Sequence, residues 1–248
     1  MVPPPMIVRQ TEGRLLCLSQ PDHAALAGRL ADAWVADGFA GRPTRDRVLE
    51  AVRQHDIGWT DEDRAPRFDA ATHGPHGFVT APLEVRQGAF LRGVEALATG
   101  DAYVAALVAQ HGLTVYRRFQ HDPAWAAFFP RLERRRDDLC SDVLAAAGAA
   151  PFTFLQDYTV LGLCDLFSLV FCNGWREPHL MEGYEAVLEG DRLVVTPDPF
   201  GGLVVELAAP ARALPLRPYW SQEDLDAAWA EAEPAHLAGS AIGARPAS

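Results

Sequence analysis

The stretch Leu161-Gly162-Leu163-Cys164-Asp165-Leu166-Phe167-Ser168-Leu169-Val170 is the most apolar part of the chain and decides the predicted fold class. It lies in a predicted helix over Phe152–Cys172. A helix with so broad an apolar surface is buried, so we expect it to be the central helix. Asp165 interrupts the apolar run. Because burying a carboxylate is costly unless it is paired or bound to metal, Asp165 is a candidate functional residue.

Around this helix, other segments with apolar residues at helical spacing predict further helices. These are Pro21–Ala36, Thr44–Asp56, Leu83–Ala98, Ala102–His111, Pro123–Ala147 and Ser221–Ala232. Residues 58–82 are rich in Gly, Pro, Asp and His, and they predict a long loop of functional length.

Short segments with β-branched residues near both ends predict strands. They are Met6–Val8, Leu15–Leu18, Tyr184–Leu188, Arg192–Thr196 and Leu203–Leu207. We therefore expect a mostly α protein. A single helical domain over residues 1–232 would carry a small antiparallel β appendage, formed by N- and C-terminal strands near residues 6–18 and 184–207. Residues 233–248, rich in small side chains, are predicted to be a flexible tail.

The composition excludes several functions. All 22 basic residues of the 248 are Arg. Without Lys there is no Schiff-base chemistry, no pyridoxal-phosphate anchor and no P-loop of the usual kind. The net charge of −11 argues against nucleic acid and anionic membranes as partners, and favours a small-molecule substrate.

The sequence also predicts a cytoplasmic protein without membrane spans. It has no run of about 18 apolar residues of the kind that spans a membrane. The Pro-rich stretch Met1–Met6 has neither the basic region nor the long apolar region of a signal peptide. The four Cys show no C-x-x-C spacing, which favours small core residues over metal ligands.

The dipeptide His55-Asp56 is the main candidate site. It ends the second predicted helix, and His23 lies in the first turn of the first one. Consecutive helices joined by a short loop usually run antiparallel, so the start of one lies beside the end of the next. The three side chains can therefore converge. Two imidazoles and a carboxylate suit a divalent transition metal such as Fe, Mn or Zn.

Other histidines and Asp165 extend this candidate site. His111, near the end of a predicted helix, and Asp165 are expected as further ligands of one or two ions. The alternatives are a His that stabilises the helix dipole and an Asp that is capped or paired with Arg. His73 and His76 in the long loop are candidates for a second metal, although loop His residues are more often solvated.

Five more residues are candidates for catalysis or substrate binding. Glu62 lies six residues after the dipeptide His55-Asp56 and is the candidate general acid or base. Trp59 is a candidate wall of the pocket. Arg53, Arg117 and Arg118 are candidate clamps for an anionic group, because guanidinium binds oxyanions in a bidentate way and no Lys is present.

Segments around the candidate site residues resemble two known protein families. The segments Met6–Arg9, Gln20–His23, His55–Trp59, Gln110–Gly112 and Asp165–Leu169 resemble the bacterial family called domain of unknown function 3891. The family often has an acidic residue at the position of Ile57 and a His near Val85, and this chain has neither. The order of His23, His55-Asp56 and Asp165 resembles the HD-domain superfamily of metal-dependent phosphohydrolases. That second resemblance implies an HD-like helical bundle in which these side chains bind the metal.

Three functions follow as hypotheses. The first is a metal-dependent, phosphohydrolase-like hydrolase that acts on a small anionic molecule. The second is a non-haem di-iron oxygenase of the HD type, in which His76 or His73 and His111 supply the extra ligands. The third is a non-catalytic ligand-binding module. An exposed strand edge in the β appendage could also pair two chains into a homodimer.

Overall fold

A computed structural model describes residues 6–147 and 151–245 of the chain. Its α-helices are α1 (Gln20–Asp32), α2 (Arg45–Gln54), α3 (Leu83–Ala98), α4 (Ala102–Val115), α5 (Phe128–Ala147), α6 (Pro151–Asn173) and α7 (Gln222–Ala230). Its strands are β1 (Ile7–Thr11), β2 (Arg14–Leu18), β3 (Phe68–Asp69), β4 (Gly74–Pro75), β5 (His179–Met181), β6 (Tyr184–Glu189), β7 (Arg192–Thr196), β8 (Val204–Pro215) and β9 (Glu233–Gly243).

Seven of these strands form one curled, mixed sheet in the order β1-β2-β8-β9-β7-β6-β5. The pair β7 and β9 is parallel, and the other neighbours are antiparallel. The longest ladder joins β8 to β9, from Val204 opposite Ile242 to Ala213 opposite Glu233. The N-terminal hairpin β1-β2 joins the sheet because β2 pairs with β8.

The prediction of a mostly α, HD-like helical bundle with a small β appendage is wrong. Helices make up 50% and strands 23% of the structure, so the protein has an α/β fold and is not all-alpha. The error arises in β8 and β9, which are rich in Ala, Gly and Pro. Such residues are depleted in strands, so their sequence gives little strand signal, and pairing between distant segments stabilises them instead.

The predicted flexible tail over residues 233–248 is also wrong for Glu233–Gly243, which form β9 between β7 and β8. Residues 246–248 lie outside the described residues. So do residues 1–5, on which the prediction about a signal peptide depends. The prediction of a single domain stays a prediction.

Helix α6 is deeply buried between the other helices and the sheet. Leu161, Leu163 and Phe167 have no exposed surface. The helix packs against α1, α2 and α4 on one side and against β1, β6 and β7 on the other. Its segment Thr153–Asn173 is long and apolar enough to cross a membrane, but 67% of that segment is buried inside the protein. Its apolar surface thus serves the protein core in this fold.

Candidate metal centre

Four helices bring five ionisable side chains together in the interior. His23 lies in the first turn of α1, His55 caps the C-terminus of α2 and Asp56 follows it. His111 lies near the end of α4, and Asp165 lies in the middle of α6. All five residues are buried, none more than 7% exposed. We call them the His/Asp cluster.

The local sequence explains why two of these helix ends meet. Ser19 caps α1 by accepting a hydrogen bond from the backbone N–H of Asp22 at 3.0 Å, which fixes the start of the helix beside His23. After Asp56 the chain turns, and Gly58 packs directly on α3. A Cβ at Gly58 would lie 1.9 Å from the carbonyl oxygen of Ala89, so only Gly fits at this position.

The three imidazoles direct their Nε2 atoms at the two carboxylates. Nε2 of His23 lies 2.9 Å from Oδ2 of Asp56. Nε2 of His55 lies 3.2 Å from Oδ1 of Asp165, and Nε2 of His111 lies 3.6 Å from Oδ2 of the same residue. Ligand atoms of His23, His55 and Asp56 lie within 4.8 Å of one another, and so do those of His55, His111 and Asp165.

The tautomer of His23 follows from its second nitrogen. Nδ1 of His23 lies 2.8 Å from the hydroxyl of Ser168, and that hydroxyl donates its only hydrogen to the carbonyl oxygen of Asp165 at 2.8 Å. The hydroxyl must therefore accept a hydrogen bond from the Nδ1–H of His23. In a neutral His23, Nε2 then carries a lone pair that faces Asp56.

His55 has the same arrangement. Its Nδ1–H donates to the carbonyl oxygen of Val52 at 2.8 Å, so Nε2 of the neutral ring carries a lone pair. This Nε2 is buried and has no hydrogen-bond partner within residues 6–147 and 151–245. Two imidazole lone pairs thus face two carboxylates, and such an arrangement of acceptors needs a proton or a cation between them.

The pKa shifts of the cluster residues also indicate that a positive charge is needed between the imidazoles and the carboxylates. Burial opposes a charged His55, but the carboxylates of Asp56 and Asp165 outweigh it and hold the pKa of His55 well above its ordinary value. Burial also opposes charge on Asp56 and Asp165, yet the neighbouring histidines keep the pKa of both carboxyls below their usual range. For His111, burial dominates and lowers the pKa to about 4. Without an ion, a proton on His55 supplies the positive charge that the carboxylates require.

A cavity of about 40 Å³ adjoins the His/Asp cluster. Trp59, Phe78, Phe90 and Tyr116 supply apolar parts of its wall, and Gln20 supplies a polar one. The volume suffices for an ion with a few water-sized ligands. A larger substrate would insert only its reacting group.

Of the residues predicted for catalysis or substrate binding, only Trp59 lines this cavity in the described part of the chain. Glu62 accepts a hydrogen bond from Arg92 at 2.7 Å. Arg53 pairs with Asp32 at 2.6 Å, with both side chains partly in solvent. Those two contacts occupy the groups that were expected to act on the substrate.

The remaining predicted residues also lie outside the His/Asp cluster. Nδ1 of His73 lies 3.1 Å from the carbonyl oxygen of Tyr219. His76 lies 3.7 Å from a carboxylate oxygen of Asp69 and 3.2 Å from the Thr80 hydroxyl. Arg117 and Arg118 are exposed.

Sequence analysis missed the residues that support the site. Ser168 lies three positions after Asp165, one turn along the same helix, and this spacing was a usable signal. Phe90 and Tyr116 line the cavity, but nothing in the sequence distinguishes them from ordinary core aromatics.

The fold and the cluster together define an α/β protein with a buried site of three histidines and two carboxylates. The chain belongs to the family described as Protein of unknown function (DUF3891), whose model matches residues 6–215 and confirms the resemblance seen in the sequence. All five cluster residues fall within this range. Neither the curated proteins nor the solved structures include a match to the chain.

Proposed function

We propose that the His/Asp cluster binds one divalent transition metal ion (Fe, Mn or Zn) and that the protein is a metal-dependent hydrolase of a small anionic molecule. The observation that carries the proposal is the buried, unpartnered Nε2 of His55, which faces Asp56 and Asp165 at 3.4 and 3.2 Å. A bound cation would satisfy this nitrogen and both carboxylates at once.

The hydrogen bonds behind the cluster fit metal ligation. Metal-binding histidines usually donate their other N–H to a carbonyl or another acceptor, which fixes the ring and the tautomer. His23 does so to Ser168, and His55 does so to Val52. Imidazole together with carboxylate suits borderline divalent ions such as Zn and Fe.

The overlap of the two ligand groups favours one ion. Both groups contain His55, and a single Nε2 lone pair binds one ion only. Two ions could therefore not each use His55. A single ion held by a subset of the five side chains, with the remaining groups as hydrogen-bond partners, avoids this conflict.

A bound ion of this kind supplies Lewis-acid polarisation and lowers the pKa of a coordinated water. The residues around the ion would control the access and orientation of water. The aromatic walls would limit access of bulk water, and the carboxylates of Asp56 and Asp165 would hold and orient the attacking water by accepting its hydrogen bonds. Hydrolysis would add water across the scissile bond, with its hydroxyl going to the reacting centre and its other hydrogen to the leaving group.

The resemblance to the HD-domain superfamily supports the proposed metal site only through the types and order of the candidate ligands. His23, His55, Asp56 and Asp165 are of the same types, in the same order, as the metal ligands of that superfamily. The fold correction above removes any argument from a shared helical bundle, so the reaction class rests on the chemistry of the site.

The test combines metal loading with a substrate panel. We expect protein reconstituted with Mn, Zn or Fe to hydrolyse at least one of a set of phosphate monoesters, phosphodiesters and carboxylic esters. His55→Ala and Asp165→Asn should abolish turnover, whereas the matched control His121→Ala, at an exposed position, should retain it.

Each other outcome contradicts part of the proposal. Bound metal without turnover on the whole panel contradicts the hydrolase and favours a ligand-binding module. Two irons per chain with substrate-dependent oxygen consumption contradict both the single ion and the hydrolysis. If His55→Ala retains turnover, the His/Asp cluster does not take part in the reaction.

A further inference from the structure

Arg86 is a half-buried cation that has no ionic partner in the part of the chain that the structure describes. It lies on α3, one turn before Phe90, which lines the cavity beside the His/Asp cluster. Within the described residues, the Arg86 side chain makes no ion pair and no hydrogen bond, and its Nε is buried without a partner. By contrast, Arg53, Arg92 and Arg135 all pair with carboxylates.

Aromatic rings hold this guanidinium in place. Its Cζ lies 6.0 Å from the ring centre of Tyr116, 5.5 Å from that of Phe119 and 5.4 Å from that of Trp125. Such contacts stabilise a cation and restrict its orientation, but they leave its N–H donors unused. The fork of a guanidinium donates two parallel hydrogen bonds to a carboxylate or a phosphoryl group.

Arg86 does not itself line the cavity, but its guanidinium contacts a ring that does. Tyr116 forms part of the cavity wall and is in ring contact with Phe90 at 5.4 Å. A second guanidinium, that of Arg118, has no ion pair among the described residues and lies 4.7 Å from the centre of the Phe119 ring, which Arg86 also contacts. Charges of both signs act on the phenol of Tyr116. Burial and then Asp56 raise its pKa, and Arg86 and Arg118 oppose that rise.

We infer that Arg86, with Arg118 beside it, forms an anion subsite that holds the oxyanion of the substrate while its reacting group reaches the His/Asp cluster. The inference deepens the proposed function and rests on it for the substrate. The ligand class is a small molecule with a phosphoryl or carboxylate group. In a chain of net charge −11, an unpaired cation is what would attract such a ligand locally.

The first test measures anion binding without metal, so that it does not depend on the hydrolase proposal. Inorganic phosphate and acetate are titrated separately into metal-stripped full-length protein at low ionic strength by calorimetry. We expect saturable binding of at least one of them, and the stronger one identifies the oxyanion. Arg86→Gln should weaken this binding about tenfold, which is about 1.4 kcal/mol, because the amide loses the charge and the paired donors of the guanidinium.

The controls separate recognition from packing. Arg135→Gln, which removes an Arg paired with Glu95 on the surface, should leave binding unchanged. Arg86→Lys keeps the charge and the ring contacts but loses the fork, and it should weaken binding several-fold. If Arg86→Gln fails to fold, Arg86→Lys carries the test.

The second test uses metal-loaded enzyme with an anionic substrate from the panel. Arg86→Gln should raise KM about tenfold, with metal content unchanged. The inference is overturned if wild-type protein binds neither probe, or if the folded Arg86 variants bind as the wild type does. If wild-type protein binds phosphate but no metal, the result would instead contradict the proposed function alone.

Discussion

The hydroxyl of Ser168 links His23 to the backbone of Asp165. It accepts from Nδ1 of the imidazole at 2.8 Å and donates to the carbonyl oxygen of Asp165 at 2.8 Å. One buried hydroxyl thereby fixes the tautomer of a candidate ligand and ties α1 to α6. Because the two elements are far apart in sequence, this bond exists only in the folded protein.

Ser168→Ala tests this link. Removal of the hydroxyl leaves the Nδ1–H of His23 without its acceptor and frees the ring to rotate. We expect metal affinity to fall about 10- to 100-fold, as for other groups that orient metal ligands. Metal titration by calorimetry measures the effect. Ser141→Ala is the control, since Ser141 also donates to a helix carbonyl but is exposed. Equal affinity in wild type and Ser168→Ala would show that the hydroxyl has no such role.

Gly58→Ala tests the close approach of the turn after Asp56 to α3. A Cβ would collide with the carbonyl oxygen of Ala89, so the turn must move or the helix must shift. We expect a loss of about 1–3 kcal/mol in the free energy of unfolding, measured with urea, together with weaker metal binding. Gly41→Ala, where a Cβ meets nothing within 4 Å, serves as the control. A variant as stable as wild type would contradict the packing described here.

Asp63 predicts a dependence of stability on pH. Burial raises the pKa of Asp63 to about 8, and Asp56, Asp22 and Glu62 add to the rise. Because the folded pKa lies above the unfolded one, the neutral carboxyl favours the folded state. Its contribution is complete below about pH 4 and is lost as pH rises through about 8, at about 1.4 kcal/mol per pKa unit.

We therefore expect Asp63→Asn to flatten the decline in stability between about pH 5.5 and 8.5, because the amide has no proton to lose. Urea unfolding at several pH values measures the slope. The control is Asp61→Asn, whose side chain is exposed and should leave the slope unchanged. A decline as steep in Asp63→Asn as in wild type would rule out Asp63 as its source.

Truncation after Ala232 tests the position of β9. This strand lies between β7 and β8, so its loss removes two ladders from the middle of the sheet and exposes strand edges. We expect the truncated chain to unfold or aggregate, as seen by circular dichroism and gel filtration. A monomeric product with wild-type melting behaviour would be the contrary result.

The helices could be predicted because their signal is local. Leu83–Ala98 matches its prediction at both ends, and α6 differs by one residue at each end. The sheet could not be predicted in full because β9 contains Pro234, Gly239 and several Ala residues, which resemble a tail in isolation. Its ladder with β8 depends on partners that lie elsewhere in the sequence, and a search for local alternation does not detect them.

The candidate site also has a part that the sequence predicts and a part that it does not. Helix ends and an Asp in an apolar helix were enough to predict that His23, His55, Asp56, His111 and Asp165 come together, as the structure places them. Arg86 could not be predicted, because in sequence it is one of 22 Arg residues. What distinguishes it, among the residues that the structure describes, is a buried Nε without a hydrogen-bond partner beside the aromatic wall of the cavity, and that depends on the packing of α3 against its neighbours.

The most direct test of the central claim is the metal content of the protein. Wild type and the variant His55→Ala are purified without chelator, dialysed against equimolar Fe, Mn and Zn, and analysed by inductively coupled plasma mass spectrometry. The account predicts about one ion per wild-type chain and a loss of most of it in His55→Ala, with His121→Ala unchanged. Wild-type protein without metal, or His55→Ala with the same content as wild type, would contradict it.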